Sequence, residues 1–172
     1  MNTVHTLQEY VDALRDAGIL TGCTVPEALL GRGVECLTYD TRTLRENALF
    51  ICKGAHFKEE YLRDALSHGA FAYVAEQQHD VDAPCILVSD IRYSLVVLGQ
   101  LFYDHVTDKL TSIGITGTKG KSTTAYYVRY ILNDWLRAQD RNECAILSSI
   151  DNYDGKVSEE SHITTPEVLE LY

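Results

Sequence analysis

The chain has 172 residues, enough for one ordinary domain or two small ones. It is 45% hydrophobic and 23% charged with a formal net charge of −10, a composition that suits a globular protein with a real core and argues against binding to a nucleic-acid backbone, which needs cations to neutralise phosphates. The N-terminus has no apolar secretory core, and no run approaches the roughly 20 apolar residues of a membrane helix, so neither export nor membrane insertion is expected.

Leu7 to Ala17 carries apolar residues at helical spacing, with Thr6 as its cap and Gly18 as its stop. Residues Gly22 to Gly33 are rich in turn formers. Val34 to Tyr39 reads as a strand that runs into the polar turn Asp40-Thr41-Arg42-Thr43, and Ala48 to Cys52 is a second apolar run closed by Lys53-Gly54. Phe57 to His68 is helical, Ala70 to Ala75 and Cys85 to Val88 are strands, and Asp90 caps a helix reaching about Tyr103. Alternating strands and helices predict an α/β layer architecture. After Asp104-His105 the pattern restarts, which places a domain boundary near residue 108.

The second part opens with a strand from Leu110 to Thr116, followed by the loop Gly117-Thr118-Lys119-Gly120 and a helix from Lys121 to about Ala138. Its buried stripe is read as Ala125, Val128, Leu132, Trp135 and Leu136. Ala145 to Ser148 is the next strand, and Asp154-Gly155 marks a hairpin turn. Glu167 to Tyr172 reads as a first helical turn, with Thr165 as N-cap and Pro166 at the first position. A strand, a loop helix and one more strand do not complete a nucleotide-binding sheet, so a truncated chain is expected.

A glycine loop between a strand and a helix is a place for phosphate, because backbone N–H groups and the helix N-terminus converge there. In that reading Lys121 reaches the β and γ phosphates and is the expected catalytic residue. Ser122 is the expected Mg²⁺ ligand. Gly117, Thr118, Lys119, Gly120, Lys121, Ser122 and Thr123 form the ATP-binding set. Ile115 stands where the common P-loop pattern has glycine. From Asp140 onward eight acids face only Arg141 and Lys156, whereas the loop holds two lysines, a local positive spot suited to a small anion. The five cysteines (Cys23, Cys36, Cys52, Cys85, Cys144) are odd in number and lack zinc spacing, so they are read as buried thiols in a reducing cytoplasm. No histidine pair has metal-binding spacing.

The segment Thr116 to Thr123 resembles the ATP loop of the Mur ligase family, whose Gly-Thr-x-Gly-Lys-[Ser/Thr] pattern lacks the earlier glycine. Asp40-Thr41-Arg42 with Ala48-Leu49-Phe50-Ile51 and Lys53-Gly54 resembles the family's first domain, as do His68-Gly69-Ala70 and Ala72 to Ala75. Thr164-Thr165-Pro166-Glu167 is similar to a segment found where the third amino acid is added, the MurE-type branch. Thr41 replaces the usual serine, and Lys119 replaces a frequent asparagine.

The resemblance implies a small N-terminal α/β domain (1–107) that binds UDP-MurNAc, followed by the start of a P-loop, Rossmann-like ATPase domain (108–172). It implies an ATP- and Mg²⁺-dependent ligase that joins a diamino acid, L-lysine in preference to diaminopimelate, to UDP-MurNAc-L-Ala-D-Glu. The implied substrate contacts are Tyr39, Thr41, Arg42, Ala55, His56, Phe57, Thr164 and Thr165. A carbamylated lysine and a second metal carboxylate fall outside the chain, so it is expected to be inactive alone, cytoplasmic and monomeric, with no nucleic-acid or membrane partner. Three alternatives stay open: a P-loop kinase or GTPase, a ligase like folylpolyglutamate synthetase, and a nucleotide-sugar binding module without catalysis.

Overall fold

The structure, a computed structural model, describes residues 3–54, 57–161 and 167–170. The chain divides into two compact units, Met1–Leu110 with Val168–Tyr172, and Thr111–Glu167.

The first unit is a five-stranded sheet between helices. Its strands are β1 (Leu20–Cys23), β2 (Cys36–Thr38), β3 (Ala48–Ile51), β4 (Ala70–Ala75) and β5 (Cys85–Val88), in the order β1-β5-β4-β3-β2. The four strands from β2 to β5 run parallel, and β1 is antiparallel to β5. Strand alternation sends Leu37, Leu49, Ile51, Val74 and Ile86 to one face, where they meet Leu7, Tyr10 and Leu14 of α1 (Leu7–Asp16) and Leu95 and Leu98 of α4 (Ile91–Phe102). The other face, with Ala48, Phe50, Tyr73 and Cys85, is covered by Leu62 and Ala65 of α3 (Glu59–Ser67). Burial on both faces explains why β3 reads as a continuous apolar run rather than an alternating one.

Most boundaries fall where the local signals put them. Asp90 caps α4 by accepting from the Arg92 and Tyr93 amides, both at 2.9 Å. The Thr6 amide donates to the Glu9 carboxylate at 2.7 Å, closing the first turn of α1. Strands β4 and β5 match their expected bounds. The stretch read as turns from Gly22 to Gly33 departs from expectation. It contains the end of the edge strand β1 and a one-turn helix, α2 (Glu27–Leu30), because β1 exists only through its ladder with β5. The cysteines also divide: Cys36, Cys52 and Cys85 are buried, Cys144 is half-buried, and Cys23 is exposed. Burial raises the Cys52 and Cys85 thiols above their ordinary range.

In the second unit, α5 (Lys121–Arg137) lies with an antiparallel sheet β6 (Ile146–Leu147), β7 (Asp151–Tyr153) and β8 (Ser158–Glu160). The expected Asp-Gly hairpin joins β7 to β8, with Asp154 accepting from the Lys156 and Val157 amides at 2.7 Å. Two readings need correction. Residues 111–117, within the expected strand from Leu110 to Thr116, form no strand: among the described residues they join no ladder. Trp135 is 54% exposed rather than core. The packed face of α5 runs through Ala125, Arg129, Leu132, Asn133 and Leu136, anchored where Asn133 accepts from the Cys144 amide at 2.8 Å. Trp135, two positions beyond Asn133, points about 200° away. Among the described residues no helix is long and apolar enough to cross a membrane.

Candidate functional site

The loop before α5 is shaped by its glycines. Gly120 is the N-cap of α5 and takes φ 75° and ψ 4°, a left-handed conformation that suits glycine, and an added Cβ would meet nothing within 4 Å. That reversal turns the chain from the Thr118-Lys119 bend into the helix, so the amides of Lys121, Ser122 and Thr123 emerge at a helix start with no in-helix acceptor. The Lys121 ammonium folds back and donates to the Gly117 carbonyl at 2.9 Å. The Ser122 and Ser149 hydroxyls are 3.3 Å apart. Lys119, Lys121 and Thr123 are exposed. The arrangement offers cationic N–H, backbone N–H and hydroxyl groups in one place, which is the donor set an oligophosphate requires.

In the first unit, Tyr39 and Thr41 follow the carboxyl end of β2. Asp40 caps the 3-10 turn Thr41–Thr43 by accepting from the Arg42 amide at 2.9 Å, and the Arg42 guanidinium grips both carboxylate oxygens at 2.5 to 3.0 Å. Those hydrogen bonds hold the Asp40 carboxyl below its ordinary value. Arg42 is therefore a brace of its own turn, with a side chain that is 87% exposed. Behind it the buried Thr38 hydroxyl is satisfied by Thr43 Oγ1 at 2.7 Å. A cavity of about 360 Å³ opens here, bordered by Thr38, Tyr39, Asp40, Thr43, Arg45 and Tyr103 among others. The Lys53 ammonium lies 4.6 Å from the centroid of the Tyr39 ring.

The expected contacts are not all brought together. Tyr39 packs against the α1/α4 face of the sheet. Phe57 packs on the α3 face, its ring 5.2 Å from that of His79 and 6.4 Å from that of Tyr61. Ala55, His56, Thr164 and Thr165 lie outside the described residues, as do the expected cap Thr165 and Pro166 of the last turn; Val168–Glu170 is a 3-10 turn. Sequence reasoning passed over Lys53 as a site residue. The available signal was its parity: it falls two residues after Ile51 and so shares a face with it.

No protein-family model matches the chain. Over 151 residues it is 42% identical to the UDP-N-acetylmuramoyl-L-alanyl-D-glutamate–L-lysine ligase of Enterococcus faecalis, covering 87% of this chain and 29% of that protein. Against the ligase of the same name from Streptococcus thermophilus it is 42% identical over 137 residues, covering 79% of this chain and 27% of the relative. The chain thus spans less than a third of the length of these relatives. Among solved structures, a UDP-N-acetylmuramoyl-L-alanyl-D-glutamate–2,6-diaminopimelate ligase superposes with a TM-score of 0.62 at 18% identity, covering 98% of this chain and 32% of that one. The Acinetobacter baumannii ligase that attaches D-alanyl-D-alanine gives 0.53 at 21% identity, covering 77% and 29%. These two structures share the fold.

Proposed function

We propose, on the premise that this chain belongs to the Mur ligases, that it forms the uridine-nucleotide-binding unit and the ATP loop of a ligase that adds L-lysine to UDP-MurNAc-L-Ala-D-Glu. The observation that carries the reading is the loop: a left-handed Gly120 opens α5, with the Lys121 ammonium folded over Gly117 at 2.9 Å. Lysine as acceptor, in preference to diaminopimelate, follows the names of the relatives at 42% identity. Residues 1–107 are read as the UDP-MurNAc-binding domain, with Tyr39 and Thr41 at the uridine, and 108–172 as the beginning of the ATP-binding domain. A cytoplasmic monomer is part of the same reading.

Amide formation needs the D-glutamyl carboxylate made electrophilic. Its oxygen attacks the γ-phosphorus of ATP, ADP leaves, and the resulting acyl phosphate is displaced by the lysine amine with release of phosphate. The first step depends on positioning and charge neutralisation. Lys121 suits this role, since its ammonium donates to one neutral carbonyl, Gly117 at 2.9 Å, which phosphate oxygens would replace. The amides at the start of α5 add donors that need no rearrangement. Ser122 offers a hard oxygen donor beside a second hydroxyl, Ser149, which fits Mg²⁺. That ion, when bound, screens the charge of the triphosphate.

The test is phosphate release by the protein that carries this chain, given ATP, Mg²⁺, UDP-MurNAc-L-Ala-D-Glu and either L-lysine or diaminopimelate. Lysine-dependent release, lost by at least a hundredfold in Lys121→Ala (about 2.7 kcal/mol or more), is the expected result. Release that survives Lys121→Ala in folded protein sinks the reading of the loop. A preference for diaminopimelate sinks the choice of acceptor.

A further inference from the structure

Strands β2 and β3 are parallel, with Thr38 opposite Phe50. Extending their alternation one residue past Thr38 and two past Ile51 brings Tyr39 and Lys53 to the same face. The contact agrees: Tyr39 packs against the α1/α4 cluster, and the Lys53 ammonium sits over its ring at 4.6 Å. Lysine side chains have large rotamer freedom, and a ring perch confines this one. The place to which it is confined lies beyond the carboxyl ends of two parallel strands, where open α/β sheets take their ligands. The backbone turns sharply there, since Gly54 has φ +111° and does not continue the strand.

Granting the uridine-nucleotide reading above, we infer that Lys53 is the residue that positions the diphosphate of that nucleotide, with the Tyr39 ring setting where its ammonium stands. An ammonium is a compact charge with three rotatable donors, suited to phosphate oxygens whose direction varies. In this arrangement Tyr39 has two roles: it borders the cavity of about 360 Å³, a volume within the range of small-ligand pockets, and its ring holds the Lys53 ammonium 4.6 Å from its centroid. The neutral part of the nucleotide and its charged part are then read by different residues. Removing Lys53's charge must weaken a ligand that has phosphates and spare one that lacks them.

The experiment is a ¹H–¹⁵N NMR titration of this chain with UDP and, separately, with uridine. In the wild-type chain UDP binds more tightly than uridine. Lys53→Met, which keeps the aliphatic stem over Tyr39, weakens UDP by about tenfold and leaves uridine unchanged, while Lys53→Arg retains most of the UDP affinity. Should Lys53→Met fail to fold, Lys53→Gln, which also removes the charge but keeps a polar end, carries the same expectation: weaker UDP and unchanged uridine. Equal weakening of both ligands by Lys53→Met means that Lys53 only supports Tyr39, and the inference is wrong. Unchanged UDP affinity overturns it as well. A wild-type chain that binds neither ligand removes the uridine reading itself, and this inference with it.

Discussion

Replacing His5 by glutamine tests a link that ties the start of α1 to the end of α4. His5 Nδ1 is 3.0 Å from the Glu9 carboxylate, and Nε2 is 3.0 Å from that of Asp104, which also accepts from the Thr3 amide at 3.0 Å. Burial pulls the His5 pKa down, but hydrogen bonds and charge from Glu9 and Asp104 outweigh it and raise the group above 6.5. The Glu9 carboxyl falls to about 2, through its hydrogen bond to His5 first and those to Thr6 next. From 4.5 that drop is worth about 3.4 kcal/mol before screening. The Glu9 side chain is 49% exposed and shares its hydrogen bonds with Thr6, so about 1 kcal/mol is assigned to His5. The signs give opposite flanks. A raised histidine pKa stabilises fully below 6.5, and that stability is lost as pH rises through the folded value. A lowered carboxyl pKa stabilises above 4.5, and that stability is lost as pH falls toward 2. The wild-type first unit should therefore exceed His5→Gln by about 1 kcal/mol at pH 5.5, or roughly 4 °C in Tm, and the gap should narrow as pH rises above 6.5 through the raised folded value. Urea unfolding read through the amide signals of the β3–β4 ladder measures it, and taking the difference between the two chains cancels the other histidines. A gap that stays constant across this pH range refutes the assignment of the link to charge.

Two further outcomes follow from the packing. The Tyr10 hydroxyl is fully buried with no hydrogen-bond partner among the described residues, and burial pushes its pKa up, so Tyr10→Phe should stabilise the first unit by about 1 kcal/mol; a loss of stability in urea would show that the hydroxyl has a partner. Leu62, which is fully buried, covers one sheet face from α3, so Leu62→Ala should cost about 3 kcal/mol in the same assay, and a cost below about 1 would mean that α3 is not the cover.

The chain's local signals carried most of its elements. Asp90 before Ile91, Thr6 with Glu9, and the apolar runs of β3, β4 and β5 act over a few residues, and their physics is complete within those residues. The loop from Gly117 to Ser122 was legible for the same reason, since a glycine reversal and a helix start are local events. What depends on distant partners was not. Residues 111–117 carry Ile113 and Ile115 at strand spacing but have no ladder among the described residues. Trp135 has helical spacing with Val128, yet the face α5 buries was decided by Asn133 meeting Cys144. The order β1-β5-β4-β3-β2 likewise rests on pairings between residues far apart in the chain. Lys53 came to stand over Tyr39 through the β2–β3 register, which only the assembled sheet supplies, because a strand's side-chain parity is local while its neighbour is not.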